Sequence, residues 1–385
     1  MSPQSSSLGL MGGDFFKSST ERTGFRSGIY RPEDNAYIRN YAENIDNFYL
    51  TGNTFTYPST FSNPNSLSGI FIKPELDRIY SCGGSTEDTN GNSTTDNSIY
   101  MNYFNENGKV SSITSPTTRQ LTRWITGTFN TTVSWYPEPI GLSFKPDGTQ
   151  LIMAGNLITY TATGIESVRG PVIFQYSISL ENAWNSNQIQ GYGVGQIFTF
   201  LGTGYTVYAV NPTQFGVAPT KIYGFNSLAT RIYDIFVHPD GTTFYYLMGG
   251  SNVSTLYQGS ISSAWDIGSA GGNLTFNTAS LTINPDLVSS FSLIGYFSGI
   301  TFNSTGTKLY AISKSYGGTI FQYNLGTPWQ ISTATFDRFL VVGQYKGEIT
   351  GSPQGIIMLP DGETMICAGL NSFTGTLYDY SVLPY

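Results

Sequence analysis

Five times along this chain the same short pattern returns, and no other feature restricts the fold as much. An apolar strand meets a tight turn of Pro-Asp-Gly type, a second strand follows, and a polar loop leads to a third. It reads Gly141 to Gly148, Leu151 to Ala154 and Val172 to Ile178. The order recurs at Ile235 to Gly241 with Leu256 to Ile261, at Gly299 to Gly306 with Thr319 to Leu325, and at Gly355 to Gly362 with Thr376 to Val382. A more eroded copy runs from Ser68 through Lys73-Pro74 to Ile99-Tyr103. Self-similarity on this scale means an array of small supersecondary units.

The runs alternate apolar and polar residues, and Asp-Gly, or Thr305-Gly306 in its place, closes each first hairpin with the positive φ that a tight turn needs. No run of about 12 residues in the repeats keeps helical periodicity, so each unit is a β-sheet. The longest interval, Pro146 to Pro239, holds Tyr205 to Val210 and Lys221 to Phe225, which read as a worn further unit. The expectation is an all-β, closed propeller of about six four-stranded blades, seven being the other count in range. The last repeat stops after its third strand, and an unassigned strand-like run, Asn47 to Tyr57, precedes the first. Closure by that run gives a propeller over 46–385 and a separate N-terminal arm over 1–45, whereas an open solenoid needs capping repeats.

The third strand is followed by Ala183-Trp184, Ala264-Trp265 or Pro328-Trp329. With that turn the pattern resembles the YVTN-type β-propeller repeats of the kind found in tailed-bacteriophage virion proteins. The resemblance covers about 47–385 and implies a fold; propellers serve as binding modules, enzymes and scaffolds alike.

Composition narrows the setting. A net charge of −7 argues against nucleic acid or an anionic membrane as partner. Charged residues are only 11%, and Gly, Ser, Thr, Asn and Tyr stand in their place, so the surface stays wet through hydroxyls and amides. Met1 to Thr20 has no apolar core of signal-peptide length, and no run of 18 apolar residues exists. An outward-facing composition without an export signal is expected of a virion component assembled in the host cytoplasm and exposed on the particle. Cys82 and Cys367 fall in opposite register within their repeats, hence on opposite sheet faces, and are expected to be free thiols.

Residues Met1 to Arg31 share nothing with the repeats and carry a local charge of about +2, through Lys17, Arg22, Arg26 and Arg31 against Asp14 and Glu21. In Pro32 to Ile45 the spacing of Tyr37, Tyr41 and Ile45 predicts a short amphipathic helix. Arg22, Arg26, Arg31, Tyr37 and Tyr41 are therefore the candidate contacts to other virion subunits, in an oligomeric particle.

Sites of chemistry are sparse. The single histidine, His238, belongs to a His-Pro-Asp-Gly turn, and without a second histidine or paired cysteines zinc has no ligand set. Asp147, Asp240 and Asp361 occupy one turn position in different repeats, where a carboxylate accepts backbone N–H groups. Asp88, Asn90 and Asn92 alternate as calcium ligands do, yet the loop lacks the glycine and terminal glutamate of an EF-hand, so a solvated loop is the better reading. Glu87, Asp96 and Glu166 are further carboxylates with nothing to pair them as a glycosidase requires. No nucleotide or cofactor motif is present. Trp184, Trp265 and Trp329 recur with the repeat and read as packing residues; Trp124 and Trp135 do not recur.

The loops joining second to third strands differ most between copies and share one rim, which is where a repeated frame carries recognition. Tyr160, Arg169, Tyr316 and Phe373 on those loops are the candidate rim contacts to a host glycan or protein. The expectation is a non-enzymatic virion structural protein of a tailed bacteriophage, a tail-associated fibre or adhesin. Capsid decoration, a tail adaptor, an intracellular interaction platform and a propeller hydrolase acting on a glycan or lactone are the alternatives.

Overall fold

The computed structural model describes residues 49–57, 67–83, 98–114, 117–120, 124–125, 134–161, 164–186, 189–190, 197–199, 206–209, 219–225, 230–249, 254–268, 271–283, 297–313, 318–342, 353–371 and 374–381. In chain order the strands are β1 (Tyr49–Thr56), β2 (Leu67–Ile72), β3 (Arg78–Gly83), β4 (Ser98–Tyr103), β5 (Thr117–Gln120), β6 (Trp124–Ile125), β7 (Ser134–Phe144), β8 (Gln150–Thr161) and β9 (Gly164–Ile178). Then come β10 (Ile189–Gln190), β11 (Ile197–Thr199), β12 (Thr206–Ala209), β13 (Lys221–Gly224), β14 (Arg231–Val237), β15 (Thr243–Gly249), β16 (Ser254–Ile261) and β17 (Leu274–Ile283). The last are β18 (Phe297–Phe302), β19 (Lys308–Ser313), β20 (Thr319–Leu325), β21 (Ala334–Val341), β22 (Gly355–Met358), β23 (Thr364–Asn371) and β24 (Thr374–Ser381).

Among the described residues these strands form five antiparallel sheets, the blades: β2–β5, β7–β9 with its additions, β14–β17, β18–β21, and β22–β24 with β1. Their innermost strands meet in the cyclic order β2, β7, β14, β18, β22 and back to β2. β1 pairs with β24, Tyr49 opposite Ser381 and Thr56 opposite Thr376, and so supplies the fourth strand of the fifth blade. No helix among the described residues is long and apolar enough to cross a membrane.

The core has the same five-fold logic. Both faces of a blade lie against neighbours, so a strand such as β19 is buried at five consecutive positions after Lys308. Five apolar clusters result, one per seam. Tyr80, Phe144 and Phe174 join the first blade to the second; Ile173, Ile235 and Phe244 join the second to the third. Leu256, Phe302 and Phe321 fill the next seam, and Ile312, Ile320 and Met365 the one after it. Leu67, Ile79, Ile366 and Leu377 then join the fifth blade back to the first. Five blades with five filled seams make a closed ring.

The sixth blade expected between Pro146 and Pro239 is corrected. β13 pairs with β9 along Lys221↔Gln175 to Gly224↔Val172 and is an outer strand of the second blade. β12 pairs with β11 and β6 instead. The interval is long because it extends one sheet, not because it holds another.

Turn chemistry fixes the repeat. Gly148, Gly241, Gly306 and Gly362 adopt φ of 73°, 75°, 67° and 70°, and Trp184, Trp265 and Trp329 are also left-handed, at 67°, 59° and 65°. Each Trp N–H donates to its turn glycine's carbonyl, and each indole lies where a Cβ on that glycine would stand. The indoles also pack across seams, Trp184 against Phe71 and Tyr80 of the first blade and Trp329 against Phe236 of the third. Their carbonyls accept from the preceding blade too: Tyr245 Oη donates to Trp329 at 2.6 Å, Gln175 Nε2 to Trp265 at 2.9 Å, and Tyr80 to Trp184. In the first blade the pair is inverted, with Leu76 at the glycine position (φ 59°) and Gly108 at the tryptophan position (φ 72°).

Candidate functional site

Among the described residues, two departures from the repeat bear on a candidate site: one at the hub and one at the rim of the second blade. At the hub, β2, β7, β14 and β18 each carry a register break between the residues before and at one position, occupied by Gly69, Gly141, Asp234 and Gly299. Gly355 is the equivalent residue at the start of β22. A β-bulge there turns backbone groups off their own sheet and toward the next blade. Close approach explains the glycines: a Cβ on Gly69 would collide with Ile140 and Gly141, one on Gly299 with Gln354, and one on Gly355 with Ser68.

Asp234 is the exception, a carboxylate where four blades have no side chain. It is 7% exposed. Its Oδ1 accepts the N–H of Ile235 at 2.8 Å and its Oδ2 that of Ile300, on the fourth blade, at 2.8 Å. A Cβ on Gly141 would meet the same carboxylate, so one side chain touches β7, β14 and β18. Burial pushes its pKa up to about 8, against the pull of the two amides. Neighbouring seams use neutral bridges: Ser143 Oγ accepts Val237 N–H, Thr301 Oγ1 accepts Met358 N–H, and Asn156 both donates to the carbonyl and accepts from the N–H of Ile232. The Cys82 thiol is buried beneath Gly69, and burial first, with the charge of Asp234 among the lesser causes, raises its pKa. Cys82 and Cys367 are free and buried.

Asp234 belongs neither to a carboxylate pair nor to a Pro-Asp-Gly turn, the two patterns that mark an acidic residue in this sequence. The available signal was the break in the column Gly69, Gly141, Asp234, Gly299, Gly355. The turn aspartates behave as expected, Asp147, Asp240 and Asp361 accepting the N–H groups of Thr149, Thr242 and Glu363 at 2.8–2.9 Å. His238 sits in its turn, Nδ1 2.9 Å from Asp240 Oδ1 and its ring edge-on to Trp329.

A second buried carboxylate lies at the closing seam. Asp379 on β24 accepts from Thr51 Oγ1, from Asn53 Nδ2 at 3.3 Å and from the N–H of Val110 in the first blade. Burial raises its pKa, and these donors with Lys109 oppose the shift. It occupies the column of Gln175 and Gln258, whose Oε1 atoms accept the N–H groups of Ile267 and Ile331 in the following blade at 2.9 and 3.2 Å. Tyr57, just beyond β1, completes the fastening by bonding Ser81 at 2.7 Å and Asn102 at 3.0 Å in the first blade.

At the rim, β8 and β9 run 12 and 15 residues, against six to eight for the corresponding strands of the other blades. Pairing continues from Asn156↔Pro171 to Thr161↔Gly164, an outgrowth of roughly 15–20 Å at 3.4 Å per residue. The start of β7 follows it, Ser134 opposite Tyr160, and β6, β12 and β11 add to the edge of β7. The full sheet has eight strands.

Tyr160 and Arg169 lie on this outgrowth, in β8 and β9, at positions whose side chains are not described. Tyr316 and Phe373 lie outside the described residues, as do Arg22, Arg26, Arg31, Tyr37 and Tyr41 of the expected N-terminal arm and the calcium-type trio Asp88, Asn90 and Asn92. The structure therefore brings Tyr160 and Arg169 onto one hairpin. Trp124 and Trp135 are paired across β6 and β7. Among the described residues no group of three His, Cys, Asp or Glu side chains is placed to hold a metal ion.

No family model and no curated protein sequence matches the chain. Solved structures do resemble it in architecture. The β-propeller domain of Cps50 (Swd1) from Myceliophthora thermophila is 11% identical, with 87% of this chain and all of that one covered, at a TM-score of 0.39. A candidate 6-phosphogluconolactonase from Bacteroides uniformis is 12% identical over 84% of this chain and 86% of its own, at 0.38. One from Bacteroides fragilis is 13% identical over 81% and 82%, at 0.33.

Proposed function

We propose that this protein is a non-enzymatic structural component of a tailed-bacteriophage particle, a tail-associated attachment protein whose ring carries the outgrown second blade toward a host surface. The observation that carries the reading is the outgrowth itself: among the described residues, one blade in five lengthens three of its strands past the rim and adds β6, β11 and β12 beside them. Recognition on a rigid repeated frame is built on such extensions. At the hub, Asp234 is buried, with both carboxylate oxygens taken by backbone amides. The virion setting rests on the repeat's resemblance and on a chain with 11% charged residues; the arm over 1–45 would join it to other virion subunits.

The test replaces Leu157–Gly170 by Asn-Gly, a two-residue turn joining Asn156 to Pro171. The ring should keep its thermal transition, while binding of the labelled protein to host cells, and attachment of particles carrying it, should fall at least tenfold. Unchanged attachment overturns the rim reading. Turnover of a glycan or lactone by the purified chain, lost in D234N, would put the hydrolase in its place.

A further inference from the structure

The hub holds an ionisable group that the proposed attachment role does not use. Asp234 sits at the one inner-strand bulge of the ring that is not a glycine, and its two oxygens bond amides on two different blades. Among the described residues no cation is paired with it. Around β14, the strands β2 and β18 carry no ionisable side chain, and β15 brings only Tyr245 and Tyr246, whose burial raises their pKa values and keeps them neutral. Arg231 opens β14 itself, and Tyr233 on it is buried. Cys82, on β3, is the thiol whose ionisation Asp234 opposes. On β9, Tyr176 is buried, whereas Tyr136, Glu138, Tyr160, Glu166 and Arg169 of β7–β9 lie where side chains are not described.

A carboxylate without a cation in such a place loses more hydration than two amide bonds return. Protonated, it is a neutral wedge of the right size between three inner strands. Ionised, it is a charge that has lost its hydration, and any parting of the third and fourth blades, which its Oδ2 joins through the N–H of Ile300, returns water to it. We infer that the protonation state of Asp234 sets how tightly the third blade is held to the fourth, so that the ring carries a pH-dependent seam at its hub. The direction follows from linkage. The unfolded chain gives up this proton near pH 4, while the folded chain holds it until about 8. Over that interval the folded state binds one proton more, and stability contributed at this site falls as pH rises; below about 4 it is level. The other buried carboxylate, Asp379, has its pKa raised as well and adds a slope of the same sign at the closing seam.

The deciding measurement is the amide resonances of Ile235 and Ile300 in the full-length protein from pH 5 to 10. Both should titrate together, with a midpoint well above the ordinary carboxylate range, and amide protection at Ile300 should fall across the same step. In D234N neither resonance should titrate, and the thermal midpoint should lose the part of its pH dependence that wild type shows between pH 5 and 9. Resonances that stay fixed in wild type, or that titrate equally in D234N, overturn the inference. If D234N does not fold, D234G, which copies the other four blades, takes its place; if neither folds, the wild-type titration alone decides.

Discussion

At the scale of single residues, this chain fastens its ring with small side chains at fixed columns of the repeat, and the exceptions to each column are the informative positions. The inverted pair in the first blade is the clearest. Where three other blades set a glycine beneath a tryptophan, Leu76 and Gly108 exchange roles, and a Cβ on Gly108 would lie 3.6 Å from Leu76 Cδ1 and 3.3 Å from Leu359 Cδ1. G108W should therefore be destabilising by about 2 kcal/mol or more through overpacking, and L76G through lost contact. Because Leu76 occupies part of the space the indole needs, the double variant should recover about 1 kcal/mol relative to the sum of the singles. Denaturant midpoints measure that cycle; strict additivity would mean that the two positions do not act as a pair. The turn half of this logic was legible beforehand, since Asp-Gly dictates a positive φ. The inverted pair was not, because Leu76 lies in an eroded copy without the dipeptide that marks the position. Asp234 was hidden for another reason: what makes it unusual is the pair of backbone amides that face it, one of them 66 residues away.

At the scale of elements, β1 carries more weight than its length suggests. It hydrogen-bonds to β24, contributes Thr51 and Asn53 to Asp379, and leads into Tyr57, which reaches Ser81 and Asn102 in the first blade. Removing residues 1–57 should leave β24 as an exposed edge and Asp379 short of two donors, so the truncated chain should lose several kcal/mol and aggregate on warming. Removing residues 1–31 should leave the transition where it was. Equal thermal midpoints for the two truncations would contradict this role for β1. The milder Y57F should cost about 1–2 kcal/mol by leaving Ser81 and Asn102 underpaired inside the protein. The repeat order, the hairpins and the last sheet's missing fourth strand could be read in sequence because they depend on local turns and on counting. The blade number could not. Lys221 to Phe225 alternates as any strand does, and whether it founds a sheet or joins one depends on its partner β9, about 50 residues upstream, which periodicity does not reveal.

At the scale of the whole molecule, a ring differs from an array with two ends. Each of the five apolar clusters joins two blades, so every blade is held on both sides and none is terminal. In an open stack of the same blades the first and last would fray, and protection against hydrogen exchange would decline toward both ends. Closure by β1 abolishes that gradient. The amides of β23 in the fifth blade and β3 in the first should exchange as slowly as those of β15 in the third, through one global opening. In the chain lacking residues 1–57 the closing cluster of Leu67, Ile79, Ile366 and Leu377 loses its cover, and β22–β24 should then become the fastest-exchanging blade. Exchange measured by peptide mass spectrometry on both proteins separates the cases. If the fifth blade exchanges early in the full-length chain as well, the ring is fastened elsewhere and β1 only decorates its edge.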